Sequence, residues 1–283
     1  MRFSMTRLPL AMLLATTVGA CGDDAGTNDT ADTADTSGGD TADTADTNTG
    51  DADTSDVTIT GEVEGTWAML EVQTALVTTE LLGTTTQTSK SYYLASLADG
   101  KMTVTLCDWA TDDETGLTAT RMGNKVLASL GPFERSYTTS EVGGAWKLSV
   151  DNGIALRGVE LANPATDAMP TVDTDATVRD QDTDNHPGIT LVVTGTIAGE
   201  LYVAHRHQAA LAGTLASDTH ISGLTAWTTE QVIFGSQPAL LANQKPVAVT
   251  HPDASKSHFE MFKVEAGADC AAINAARATL FDE

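Results

Sequence analysis

Ser91-Tyr-Tyr-Leu-Ala-Ser-Leu97, Ala98-Asp99-Gly100-Lys101, Met102-Thr-Val-Thr-Leu-Cys107: two strand-like runs flank an Asp-Gly step. Asp-Gly favours the two-residue turn in which both central residues take positive φ, and the twist of that turn matches paired strands. An antiparallel hairpin over 91–107 is therefore predicted, and the chain on either side repeats its grammar. Upstream, Val57-Thr-Ile-Thr-Gly61 alternates, and 66–82 is rich in Val, Leu and Thr. Downstream, 145–151, 154–161, 189–197, 200–211, 220–229 and 258–265 read as further strands punctuated by Gly and Pro. Helical periodicity is absent until Asp269, which can cap a helix that puts Ile273, Ala276, Leu280 and Phe281 on one face. The expected fold class is mainly β: an antiparallel sheet sandwich or barrel with a short C-terminal helix.

Self-similarity suggests two similar halves, 57–162 and 189–283, joined by an acidic loop. Ile59-Thr60-Gly61, Gly65, Gln73 and Leu76 resemble Val193-Thr194-Gly195, Gly199, Gln208 and Leu211, with one inserted residue. The stretch 163–188 between them is rich in Pro and Asp and poor in bulky apolar residues, as a boundary or crossing loop would be.

The first 56 residues follow other rules. Arg2 and Arg7 precede the apolar run Leu8-Pro-Leu-Ala-Met-Leu-Leu-Ala15, the charged-then-apolar order of a secretory signal. That run is shorter than the roughly 20 residues a spanning helix needs. Val18-Gly19-Ala20-Cys21 resembles the lipobox of bacterial lipoproteins. The resemblance implies a signal peptide over 1–20, a diacylglyceryl thioether on Cys21, cleavage before it and acylation, typically by palmitate, of the new amino terminus. The alternative is an ordinary secretory signal that leaves Cys21 a free thiol. Gly22 after the cysteine resembles the outer-membrane sorting pattern of some Gram-negative bacteria, although Asp23 and Asp24 follow.

Residues 21–56 contain Asp-Thr-Ala-Asp-Thr at 32–36 and 43–47 and no bulky apolar side chain, so nothing offsets the entropy of ordering them. They are expected to form a disordered tether with a reach of roughly 30 to 35 Å, leaving 57–283 as the β-rich domain. Divalent-ion binding by these aspartates and glycosylation of the threonines are lesser alternatives.

The formal charge is -24; loss of Arg2 and Arg7 with the signal would leave -26, of which eleven charges are the aspartates of 22–56 and -15 belongs to 57–283. A folded region so acidic repels phosphate, which argues against a nucleic-acid partner. Cys107 and Cys270, in a chain addressed to an oxidising compartment, are expected to form a disulfide, the alternative being two buried thiols.

Three clusters could carry chemistry. Asp180, Asp182 and Asp184 alternate in a loop that resembles the start of Asp-x-Asp-x-Asp-Gly calcium loops, and calcium suits several carboxylates in flexible geometry. The pattern departs from the EF-hand at the sixth and twelfth places, which hold Asn185 and Leu191. His205 and His207 lie two apart in a predicted strand, on the face of Leu201, Val203, Ala209 and Leu211, where they could line a cavity, hold a metal or sit at a core margin. Gly65-Thr66-Trp67 resembles the Gly-x-Trp signature that opens the lipocalin barrel, and the resemblance implies a closed barrel carrying a small apolar ligand. A tryptophan plugging one end of a sheet core is the plainer account.

No hydrolase elbow, zincin motif, phosphate loop or dinucleotide fingerprint occurs; Leu127-Ala-Ser129-Leu-Gly131 lacks the first glycine of Gly-x-Ser-x-Gly. The functional expectation is a lipid-anchored envelope protein whose β-rich domain binds rather than catalyses. An envelope hydrolase and a lipocalin-like carrier are the alternatives.

Overall fold

The structure is a computed structural model describing residues 58–80, 83–244 and 246–282. The signal peptide, Cys21 and the tether lie outside the described residues. Eleven strands appear: β1 Gly65–Thr79, β2 Gly83–Ala98, β3 Lys101–Asp113, β4 Thr118–Met122, β5 Phe133–Val142, β6 Ala145–Arg157, β7 Ile189–Gly195, β8 Gly199–Ser217, β9 His220–Gln237, β10 Val247–Thr250 and β11 His258–Lys263. The helices are α1 Asn124–Ser129, α2 Ala239–Ala242 and α3 Cys270–Leu280. No described helix is long and apolar enough to cross a membrane.

All pairing between these strands is antiparallel, and they form one sheet. The pairs β1–β2, β2–β3, β3–β5, β5–β6, β6–β8, β8–β9, β9–β11 and β11–β1 run full circle, so the sheet is a closed barrel rather than a sandwich. Closure removes the exposed edges of an open sheet. Strands from 57–162 and 189–283 are laced through one another, β1 with β11 and β6 with β8.

The long strands change partners midway, which divides the barrel into two tiers. β1 pairs with β11 over Trp67 to Val72 and with β10 over Ala75 to Thr78. β3 pairs with β5 over Lys101 to Val104 and with β4 over Ala110 to Asp112. β8 pairs with β6 from His205 to Thr214 and with β7 from Gly199 to Val203.

The lower tier is filled. Trp67, Met69, Leu97, Met102, Leu148, Leu211, Ile221, Phe259 and Met261 are all nearly inaccessible and pack in one cluster. Trp67 donates its indole N–H to the Val63 carbonyl at 2.9 Å, so the tryptophan is a plug in the core, with Lys263 5.6 Å above its ring. Gly213 gives Phe259 its place: a Cβ there would lie 2.6 Å from the ring's Cζ. In the predicted hairpin, Asp99 and Gly100 both take positive φ (50° and 72°) and Ala98 pairs with Lys101, as the Asp-Gly turn requires.

The outer face of β1 is covered as well, which is why Trp67 to Leu70 are apolar on both faces rather than alternating. Ala68, Leu70, Val72 and Tyr92 pack under Ile273 and Phe281 of α3. The Asp269 side chain accepts the Ala272 N–H at 2.8 Å and caps that helix. The Cys107–Cys270 disulfide ties the helix start to β3, and Arg277 pairs with Asp108 at 2.7 Å.

Candidate functional site

Above Glu71 the inward positions of β1, β2 and β8 cease to be uniformly large and apolar. β1 continues inward with Gln73, Ala75 and Val77, β2 with Ser91, Ser89 and Gln87, and β8 with His207 and His205. Small and polar side chains cannot fill a barrel of this girth, and the upper tier encloses a cavity of about 470 Å³, within the range of small-molecule sites. Val77, Leu191, Val193, Leu201 and Ile233 give it apolar walls, Trp109 and Trp227 face into it, and Leu241 and Pro246 lie beside its mouth. Among the described residues no Asp or Glu lines it, and the charged side chain on its wall is Arg157.

The floor is a hydrogen-bonded network. Glu71, 1 % exposed, accepts from Gln73 Nε2 at 2.7 Å and from the Thr225 hydroxyl at 2.6 Å. Because Gln73 must present its amide nitrogen to Glu71, that nitrogen also donates to His207 Nε2 at 3.2 Å, which assigns the His207 proton to Nδ1. Arg157 Nη1 donates to His205 Nδ1 at 3.1 Å, so the His205 proton sits on Nε2, directed at the Thr229 hydroxyl. Arg157 is also hydrogen-bonded to Tyr93. Arg135, just below, donates from Nε to the Asp151 carbonyl at 3.2 Å and from Nη2 to that of Ala209 at 2.5 Å.

Burial sets the protonation states. It raises the Tyr93 hydroxyl to about 12, helped by the charge of Glu71, so the phenol stays neutral. It lowers His205 to about 3, with Arg157 adding repulsion. His207 is pushed well below its ordinary value by burial, then by Arg157, His205 and Arg135. Burial also lowers the two arginines, but a guanidinium starts so high that it remains charged. Two cations and one carboxylate therefore meet beneath the cavity, a net positive centre inside an acidic molecule.

The predicted residues fall as follows. His205 and His207 face the cavity, as alternation along β8 requires. Both nitrogens of His205 are engaged and a guanidinium adjoins the pair, an arrangement that repels a metal cation. Cys107 and Cys270 are bonded. Asp180, Asp182 and Asp184 do converge, each offering an oxygen within 4.8 Å of the others, in the loop between β6 and β7. Ser129 ends α1 with its hydroxyl donating to the Val126 carbonyl.

Sequence reasoning missed Glu71, Tyr93, Arg135 and Arg157. The first two break an apolar inward phase and could have been found by that. Arg157 could not: a bulge between Val150 and Gly153 shifts the phase of β6, so that Leu148 and Val150 point inward but then Arg157 does too.

The chain matches no protein-family model, no curated protein and no solved structure. Its function rests on its own geometry.

Proposed function

We propose that the protein is a lipid-anchored binding protein of the bacterial cell envelope, held at the outer membrane, whose barrel carries a small, largely apolar molecule in its upper cup. The observation that carries this reading is the cavity of about 470 Å³ with apolar walls above a sealed core. A hydrolase would need paired carboxylates or a nucleophile with its base at the reacting centre, whereas among the described residues this lining holds no carboxylate and its histidines are held neutral and hydrogen-bonded. The cup matches what the Gly65-Thr66-Trp67 resemblance implies of a lipocalin-like carrier.

The anchor rests on the sequence: the Val18-Gly19-Ala20-Cys21 lipobox and the spacer that follows. Each buried acyl methylene contributes about 0.8 kcal/mol, so two or three chains retain a protein where one does not. The tether would let the barrel meet ligand at or beyond the headgroups.

One experiment with two readouts tests the whole. The full chain is expected to sediment with envelope membranes and, once purified, to enhance the emission of N-phenylnaphthylamine saturably, with energy transfer from Trp109 and Trp227. Cys21→Ser is expected to lose the first property and keep the second. A parent protein that leaves the probe dark ends the carrier reading, and a Cys21→Ser chain that sediments like the parent ends the anchor.

A further inference from the structure

We propose that the cup selects single-chain amphiphiles with an anionic head, a carboxylate above all, and that Arg157 is the residue that binds the head. The inference rests on the carrier reading and deepens it.

Arg157 is 5 % exposed overall yet forms part of the cavity wall. The partners of its guanidinium are neutral, Tyr93 and the unprotonated Nδ1 of His205. Among the described residues no carboxylate lies within ion-pair distance of it; the nearby acid, Glu71, is already engaged by Gln73 and Thr225. The single charge of Glu71 is shared between Arg135 and Arg157, which leaves one buried positive charge uncompensated; that is costly, and a carboxylate brought by the ligand offsets it in the fork geometry that guanidinium favours. The surroundings suit that partner, since among the described residues the cavity lining holds no acid. Tyr93, neutral, can donate to the same head.

The walls set the rest. From Gln73 to Thr79, β1 rises roughly 20 Å along its length, or about 15 Å along a barrel axis to which strands incline at about 40°. A single extended alkyl chain fits this depth between Val77, Val193 and Ile233, with its tail toward Leu241 at the mouth.

The test compares dodecanoate with dodecan-1-ol and dodecylamine as competitors of N-phenylnaphthylamine at neutral pH. Dodecanoate is expected to bind at least tenfold tighter than the alcohol and the amine least. Arg157→Met is expected to bring acid and alcohol within about twofold of each other; its circular dichroism reports folding. Equal affinity of the parent for acid and alcohol overturns the proposal and leaves the carrier reading standing. Displacement by none of the three overturns both. If Arg157→Met does not fold, the comparison in the parent still decides.

A second proposal stands on a separate observation. We infer that Asp180, Asp182 and Asp184 bind calcium. Asp182 is 5 % exposed; its Oδ2 accepts the Thr190 N–H at 3.3 Å, but its Oδ1 is buried without a protein partner among the described residues. That oxygen belongs to a group of three carboxylates within 4.8 Å, whose mutual repulsion a cation would cancel. Asp180 accepts the N–H groups of Asp184 and Asn185, and Asp184 accepts from His186 N–H and the Thr190 hydroxyl, which fixes the loop and leaves lone pairs on each carboxylate. Calcium tolerates such an irregular oxygen set, and without a bidentate closing acid its affinity should fall in the extracellular range of about 10⁻⁴ to 10⁻³ M. Calcium at about 5 mM is expected to raise the melting temperature of the parent by several degrees over EDTA, and Asp182→Asn to abolish the response. No shift, or an equal shift with magnesium, overturns the site, and calorimetric titration of the parent decides if Asp182→Asn does not fold.

Discussion

His207 and His205 are among the residues whose protonation the barrel controls most strongly, and they make stability depend on pH. Their folded values lie below the ordinary 6.5, so above that value both folded and unfolded chains are neutral there and contribute nothing. As pH falls below it the unfolded chain takes up protons that the folded chain refuses, and stability falls by about 1.4 kcal/mol per pH unit for each histidine. Asp182 works the other way, because burial raises its value and protonation relieves that cost. Urea unfolding is expected to show a loss of about 2 kcal/mol from His207 alone between pH 6.5 and about 5. His207→Gln should remove that share of the slope, and an unchanged slope in the variant would refute the assignment. The sequence revealed these two histidines because they keep the two-residue period of β8. It concealed Arg157, since a bulge changes a strand's phase without a residue type that announces it.

Among the elements, the hairpin β2–β3 and the helix α3 were legible because each is specified by neighbours in sequence: an Asp-Gly step in one, an Asp cap and a four-residue apolar spacing in the other. The short strands were not. β4 (Thr118–Met122) and β10 (Val247–Thr250) are five and four residues long, and they are strands because the upper halves of β3 and β1 need partners. The stretches 145–151 and 154–161, which read as two strands, are largely one, since the sheet absorbs the intervening Asp-Asn-Gly as a bulge in β6. The helix is held by its packing on β1 and β2, by the Arg277–Asp108 pair and by the Cys107–Cys270 bond, which closes a span of 163 residues. In the chain-entropy picture such a link contributes roughly 3 to 5 kcal/mol. The double variant Cys107→Ser, Cys270→Ser is therefore expected to melt well below the parent and to be cleaved first near α3 in limited proteolysis. Matching melting curves would show that packing of Ile273 and Phe281 alone suffices.

For the molecule as a whole, composition and alternation specify an antiparallel β fold, but closure is a matter of which strand meets which over long separations. β1 and β11 lie almost two hundred residues apart, and no local pattern pairs them. The cavity was equally hidden: it exists because several inward positions above Glu71, on β1, β2 and β8, are too small or too polar to fill the ring, which becomes visible only once eight strands are known to share an interior. One property of that ring sets its upper half apart from its lower. β10 pairs with β1 but, among the described residues, forms no backbone ladder with β9, which it meets through the Thr250 hydroxyl and the Trp227 carbonyl at 3.4 Å. The hoop below is closed by a full ladder, whereas the collar above is held at that seam without backbone rungs among the described residues. The foundation of the molecule does not depend on the seam above it.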